Sequence, residues 1–256
     1  MMSCDPQSGV CQVPETGAPS PVAQQPRQAL TLHYIGDPMC SWCWGISPAV
    51  QEAAAWCEAN GIGFQITVGG LRAGGGDAWN EVFKTFLRRE WTRIASVTGQ
   101  PFGYTLLDLP EFHYDTEPAC RAVVCAQLIA AGQNADADTS GQASSNDSGL
   151  PLAFMSAVQR KFYVEGQDPK QVDFYASICE QLGVAVPRFS ALFLSDEARE
   201  ATRQTFARCR GWGVFSFPTL LIEQDGHLQT LSAGYTTAGR IIDALSQFRR
   251  SDDTSA

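Results

Sequence analysis

Two alternating apolar runs with an amphipathic helix between them constrain this chain more than any other feature. Leu30-Thr31-Leu32-His33-Tyr34-Ile35 alternates at the period of a β-strand, and Ile62, Phe64, Ile66 and Val68 do so again. Between them Cys43, Ile46, Val50, Ala53 and Cys57 recur at spacings of three and four, which places them on one face of a helix. Asn60-Gly61 supplies its stop. Strand, helix and strand make a βαβ unit. Near the other end, Thr219 to Ile222 and Leu228 to Leu231 flank Asp225-Gly226, a favoured two-residue hairpin turn. A last helix follows, capped by Thr236 or Thr237, with Ile241, Leu245 and Phe248 on its buried face.

A crossover needs only about a dozen residues, yet roughly 150 separate the second strand from the third. They read as helical. Phe83, Leu87, Trp91 and Ile94 form one stripe; Asp115 or Thr116 ahead of Pro118 starts a helix through Ala131; further helices are expected at Leu152 to Val164, Lys170 to Leu182 and Asp196 to Arg210. The organisation expected is a disordered tail over 1–28 and a sheet domain over 29–70 and 195–249. A helical insertion over 71–194 interrupts that domain and carries a flexible loop at 132–149, and a polar tail covers 250–256.

Among the 256 residues, 44% hydrophobic and 18% charged, there is enough apolar material for a sizeable core. A net charge of -9 has the wrong sign for binding phosphate backbones or anionic lipid, so neither nucleic acid nor membrane is an expected partner. No run approaches the roughly 20 apolar residues of a membrane span, and residues 1–28 lack the basic and apolar segments of an export signal. A cytoplasmic protein is expected, whose nine cysteines stay mostly reduced.

The chemistry concentrates at Cys40-Ser41-Trp42-Cys43, where the first strand hands over to the first helix. A thiol at a helix N-terminus meets unpaired amide N–H groups and the positive end of the helix dipole, both of which favour its thiolate. Cys40 is therefore the expected nucleophile, and Cys43, one turn deeper on the same side, the buried resolving thiol. A zinc site needs four ligands, and His33, His113 and His227 show no paired spacing, so no metal is expected. Cys57, Cys120, Cys125, Cys179 and Cys209 read as small core residues, and Cys4 and Cys11 as chance exposures in the tail. Gly69 to Gly76 lacks the ending of a phosphate loop and reads as a hinge into the insertion. Farther along, Phe217-Pro218 precedes a strand, a place for a loop, edge or cis proline.

Taken together these residues resemble the thioredoxin superfamily. The Phe-Pro-Thr-Leu-Leu segment is similar to its cis-proline loop, and Pro48 to the proline in its first helix. With a helical insertion and Asp-Pro-Met-Cys-Ser-Trp-Cys-Trp-Gly at the site, the resemblance is to DsbA-like proteins, in particular the intracellular FrnE-type predicted disulfide isomerases. The resemblance implies an α/β thioredoxin fold with an inserted all-helical domain, and a thiol-disulfide oxidoreductase or protein-disulfide isomerase without a cofactor. By the same analogy Cys40 attacks, Cys43 resolves, and a cis Phe217-Pro218 bond lies beside them, with Phe217 holding substrate in strand-like fashion. Ser41 is a candidate donor to the thiolate and Trp42 a candidate apolar surface. The partners implied are protein or small-molecule disulfides, together with glutathione or a thioredoxin system. Where relatives carry a buried carboxylate six residues before the first cysteine, this chain has Tyr34, which leaves His33, Tyr34, Asp37 and water as candidates for proton handling. The alternatives are a glutathione-dependent isomerase or kappa-class glutathione transferase, whose relatives use serine at the first cysteine position, and a peptide-binding chaperone.

Overall fold

In the computed structural model, which describes residues 3–4, 11–12, 30–137 and 149–253, the alternating runs become β1 (Thr31–Gly36) and β2 (Gly63–Val68), joined by α1 (Ser41–Ala59). They pair in parallel from Thr31 against Gly63 to Gly36 against Val68. The hairpin forms too: β3 (Thr219–Gln224) and β4 (His227–Ala233) turn at Asp225 and Gly226, both at positive φ, as a type I′ turn demands. Because β3 runs antiparallel to β1, the sheet order is β2-β1-β3-β4. The hairpin strand β4 forms one edge.

Helices cover both faces of the sheet, so β1 is buried from Leu32 to Gly36 rather than alternately exposed. On one face Leu32 and Tyr34 pack with the α1 stripe, Cys43, Ile46, Val50, Ala53 and Cys57, and with Ile241 and Leu245 of α8 (Ala238–Asp253). On the other, Ile35 and Leu221 meet Val214, and Cys209 and Trp212 at the end of α7 (Asp196–Gly211). His33 is buried on this second face, its Nε2 hydrogen-bonded to Glu223 at 2.7 Å and its ring edge-on to Trp212.

Between β2 and β3 lie α2 (Glu81–Thr98), α3 (Glu117–Ala137), α4 (Gly149–Tyr163), α5 (Ala176–Gln181), α6 (Val186–Leu194) and α7. Asn80 caps α2 by accepting from the Phe83 N–H, and Ser195 caps α7 by accepting from that of Ala198. The core among these helices is largely aromatic, with Trp91, Phe154, Phe162, Tyr163, Tyr175, Phe189 and Phe193 all buried.

Three local expectations change. The α3 helix runs on to Ala137, into the stretch read as loop. The helix expected over 170–182 divides into a 3₁₀ turn, Val172–Tyr175, and the short α5. A separate α6 buries Phe189 and Phe193, one turn apart and too few to register as a period in the sequence. The expectations for 1–28, for the middle of the 132–149 loop and for the last residues of 250–256 lie outside the described residues, apart from a two-residue ladder of Ser3–Cys4 with Cys11–Gln12 and the end of α8.

Pro48 interrupts α1 by removing the N–H that the Trp44 carbonyl would accept. Gln100 replaces it: its Nε2 donates to that carbonyl at 2.9 Å, while the Trp44 indole donates to the Pro101 carbonyl at 2.9 Å. The segment after α2 is thus stitched to the first helix beside the Cys-Ser-Trp-Cys motif. Gly69, whose N–H donates to the Gly36 carbonyl at 2.9 Å, lies directly beneath the Phe217 ring. A Cβ there would stand 2.0 Å from the ring. Gly69→Ala is therefore expected to displace Phe217 and to cost about 1–3 kcal/mol in urea unfolding; an unchanged midpoint would contradict that packing.

Candidate active site

The strand β1 ends at Gly36, and Asp37-Pro38-Met39 turns the chain into α1 with Cys40 as its N-cap. The turn closes through the Cys40 N–H, which donates to the Asp37 carbonyl at 3.0 Å, and the Cys40 carbonyl accepts from the Trp44 N–H at 3.1 Å. The Cys40 side chain makes no cap hydrogen bond. Its sulfur instead donates at 3.6 Å to the carbonyl of Phe217, the residue in cis linkage to Pro218 just before β3. Two segments 177 residues apart in the chain thus meet at one sulfur.

Cys43 sits behind Cys40 and is fully buried. Its sulfur accepts from the Asp37 backbone N–H at 3.4 Å and is hydrogen-bonded to Cys40. Burial, and then that neighbouring sulfur, push the Cys43 thiol well above its ordinary pKa. Cys40, Cys43, Cys57, Cys120, Cys125, Cys179 and Cys209 are free thiols. Burial alone accounts for the rise of the Cys57 thiol to about 12.

Asp37 is also sealed from solvent. Its Oδ1 accepts from the Met39 N–H at 2.8 Å, and its Oδ2 from the Leu71 N–H at 2.7 Å and the Cys120 thiol at 3.4 Å. The Thr116 side chain is a further donor. Cys120, expected as a plain core residue, therefore has a polar task. Burial raises the Asp37 carboxyl above the usual carboxylate range, and these donors offset only part of that rise.

Residues flanking the motif divide between two cores. Met39 and Trp44 belong to the helical one: Tyr114 donates to the Met39 carbonyl at 2.9 Å, and Trp44 stacks on Tyr163. Cys40 and Cys43 belong to the sheet core. Trp42 is half-buried, 6.0 Å from the Tyr235 ring, with the Arg93 guanidinium 5.7 Å above it. Ser41 is half-buried at the first position of α1. Phe215 stands 74% exposed before the cis-proline segment, while Phe217 is half-buried and Pro218 buried. Of the candidates for proton handling, His33 lies on the far face of the sheet, whereas Tyr34 and Asp37 face the sulfurs. The sequence marked Asp37 only as one candidate and gave no sign of Leu71, Thr116 or Cys120 beside it, because those contacts come from the segment after β2 and from the start of α3, far along the chain. Among the described residues no group of three His, Cys, Asp or Glu side chains is placed to hold a metal, and no helix is long and apolar enough to cross a membrane.

This sheet, with its helical insertion and a cysteine pair opposite a cis-proline, defines a thioredoxin-fold protein of the DsbA-like kind. No protein-family model and no curated protein matches the chain. Among solved structures it is similar to a candidate protein disulfide isomerase from Nitrosomonas europaea, at 30% identity and a TM-score of 0.72, over 88% of this chain and 99% of that one. It is also similar to the cytosolic disulfide reductase DsbM from Pseudomonas aeruginosa, at 27% identity and a TM-score of 0.62, over 88% and 100%. A 2-hydroxychromene-2-carboxylate isomerase shares the fold at 14% identity and a TM-score of 0.57, over 88% and 99%. The chain belongs to the DsbA-like thiol-disulfide oxidoreductases of the thioredoxin superfamily, and is an enzyme.

The raised Asp37 carboxyl has a stability consequence of definite sign. A carboxyl whose folded pKa exceeds its unfolded one contributes most below its ordinary value of 3.8 and loses that contribution as pH rises through the folded value. The stability lost in Asp37→Ala, measured by urea unfolding, is therefore expected to be larger at pH 4 than at pH 8. The opposite order would mean that the donors outweigh burial.

Proposed function

We propose that this enzyme reduces or isomerises disulfides of proteins or small molecules through Cys40 and Cys43. The observation that carries the reading is the Cys40 sulfur, 6% exposed at the N-terminus of α1 and against the Phe217 carbonyl, with the fully buried Cys43 directly behind it. The Cys40 thiolate attacks a substrate disulfide, forming a mixed disulfide and releasing one substrate thiolate. Cys43 then attacks the Cys40 sulfur, closing a Cys40–Cys43 disulfide and releasing the second substrate sulfur, so that two electrons pass to the substrate. An external thiol returns the pair to its reduced form.

Around this centre the Phe217 backbone, next to cis-Pro218, would hold an extended substrate segment as a strand edge does. Trp42, with Ser41 beside it, and the exposed Phe215 would supply the polar and apolar contacts. Glutathione suits the role of external thiol: DsbM, similar to this chain at 25% identity in that structure, is described with GSH. The similarity to a cytosolic reductase supports work in the cytoplasm. The glutathione-dependent isomerase alternative has only a shared fold behind it, and it leaves Cys43 without a task.

Cys40→Ser is expected to abolish reduction of insulin disulfides. Cys43→Ser should instead arrest the reaction as a mixed disulfide visible on a non-reducing gel. Full activity in the Cys40→Ser protein would overturn the reading.

A further inference from the structure

Tyr34 lies on β1, six residues before Cys40. It is 1% exposed and lies on the β1 face that packs against α1, in the same core as Cys40 and Cys43. Its ring runs along the strand over Gly36, and a Cβ on that glycine would stand 2.8 Å from the hydroxyl oxygen. Glycine at 36 thus leaves room for the hydroxyl to reach the end of the strand, where the turn to the cysteines begins. There the hydroxyl has no formed hydrogen bond, although it lies within reach of Cys43. A fully buried, unpartnered hydroxyl is costly unless it gains a partner in some state of the protein.

The surroundings identify that state. In resting form the Cys43 sulfur has one backbone donor, the Asp37 N–H, and lies close to Cys40. The Asp37 carboxylate is committed to Met39, Leu71, Thr116 and Cys120. His33 is turned away toward Glu223 and Trp212. Among the described residues the Tyr34 hydroxyl is thus the side-chain donor beside Cys43 that is still unclaimed.

We propose that the Tyr34 hydroxyl donates a hydrogen bond to the Cys43 sulfur as it becomes a thiolate and attacks the mixed disulfide. The proposal rests on the reading of Cys40 and Cys43 as the redox pair. The step is Cys43–SH plus Cys40–S–S–R giving Cys40–S–S–Cys43 plus R–SH. The bond from Cys40 to the substrate sulfur breaks, the Cys40–Cys43 bond forms, and the proton shed by Cys43 ends on the departing substrate thiolate. Tyr34 keeps its own proton throughout, since burial and then the neighbouring Cys43 raise its pKa well above 10.0. It works as a fixed dipole and not as a base, which a carboxylate at this position would be.

The test is single-turnover resolution of the mixed disulfide, followed by acid quench across pH, in wild type, Tyr34→Phe and a protein with 3-fluorotyrosine at position 34. Phenylalanine keeps the ring and removes only the donor. Its mixed disulfide should form at the wild-type rate and resolve about tenfold or more slowly, the scale of a lost hydrogen bond to a charged group, with the pH midpoint of resolution shifted upward. Fluorotyrosine, a more acidic phenol and a stronger donor, should speed resolution and shift the midpoint downward, and it decides the matter if the phenylalanine variant proves unstable. Wild-type resolution rates and midpoints in both proteins would overturn the assignment. A role confined to filling the core would change melting temperature without moving either midpoint. Cys43→Ser serves as the control: if it accumulates no mixed disulfide the redox-pair reading itself fails, and if it does while Tyr34→Phe resolves normally only the Tyr34 assignment falls.

Discussion

A carboxylate sealed beneath the first turn of α1 holds three separate pieces of chain in register. Asp37 belongs to the turn after β1, but its oxygens are occupied by the Leu71 N–H from the segment after β2, the Cys120 thiol from α3, and the Met39 N–H of its own turn. A buried carboxylate without donors would be strongly disfavoured, so the segments that supply them must come together wherever Asp37 is placed. Its backbone N–H meanwhile points at the Cys43 sulfur. One residue therefore couples the path of the chain to the geometry of the dithiol.

The motif is also where the two cores join. Met39 and Trp44 anchor in the aromatic helical core, while Cys40 and Cys43, which lie between them along the chain, anchor in the sheet core. Neither part of the molecule can shift without moving the first turn of α1. The two thiols consequently sit in unlike surroundings: Cys40 at the helix end, against the Phe217 carbonyl, and Cys43 enclosed between the Asp37 backbone and Tyr34. That asymmetry is what the proposed division of roles between the two thiols rests on.

Much of this was legible before any coordinates. The α1 stripe from Cys43 to Cys57 is buried at every position read from its spacing, and Asp225-Gly226 makes the hairpin turn its chemistry demands. These features are local, set by periods of two and 3.6 residues and by the φ > 0 requirement of a tight turn. Where local signals were short or mixed the reading blurred: α6, with two buried phenylalanines, went unrecognised, and the helix expected over 170–182 proved to be a 3₁₀ turn and a single short helix. The alternation of β1 gives no sign that α7 covers its second face, because a strand's own residues do not record what packs on them.

The order of residues by itself determined the strands, the first helix, the hairpin and the presence of two cysteines one turn apart where strand gives way to helix. Each follows from interactions among neighbours in the chain. Only the tertiary structure decided that Phe217 would face Cys40, that Asp37 would draw its donors from Leu71 and Cys120, that His33 would turn away, and that Tyr34 would bring a solitary hydroxyl to Cys43. Those meetings join residues far apart in sequence, and they are fixed by the shared burial of two cores and by the need of enclosed polar groups for partners.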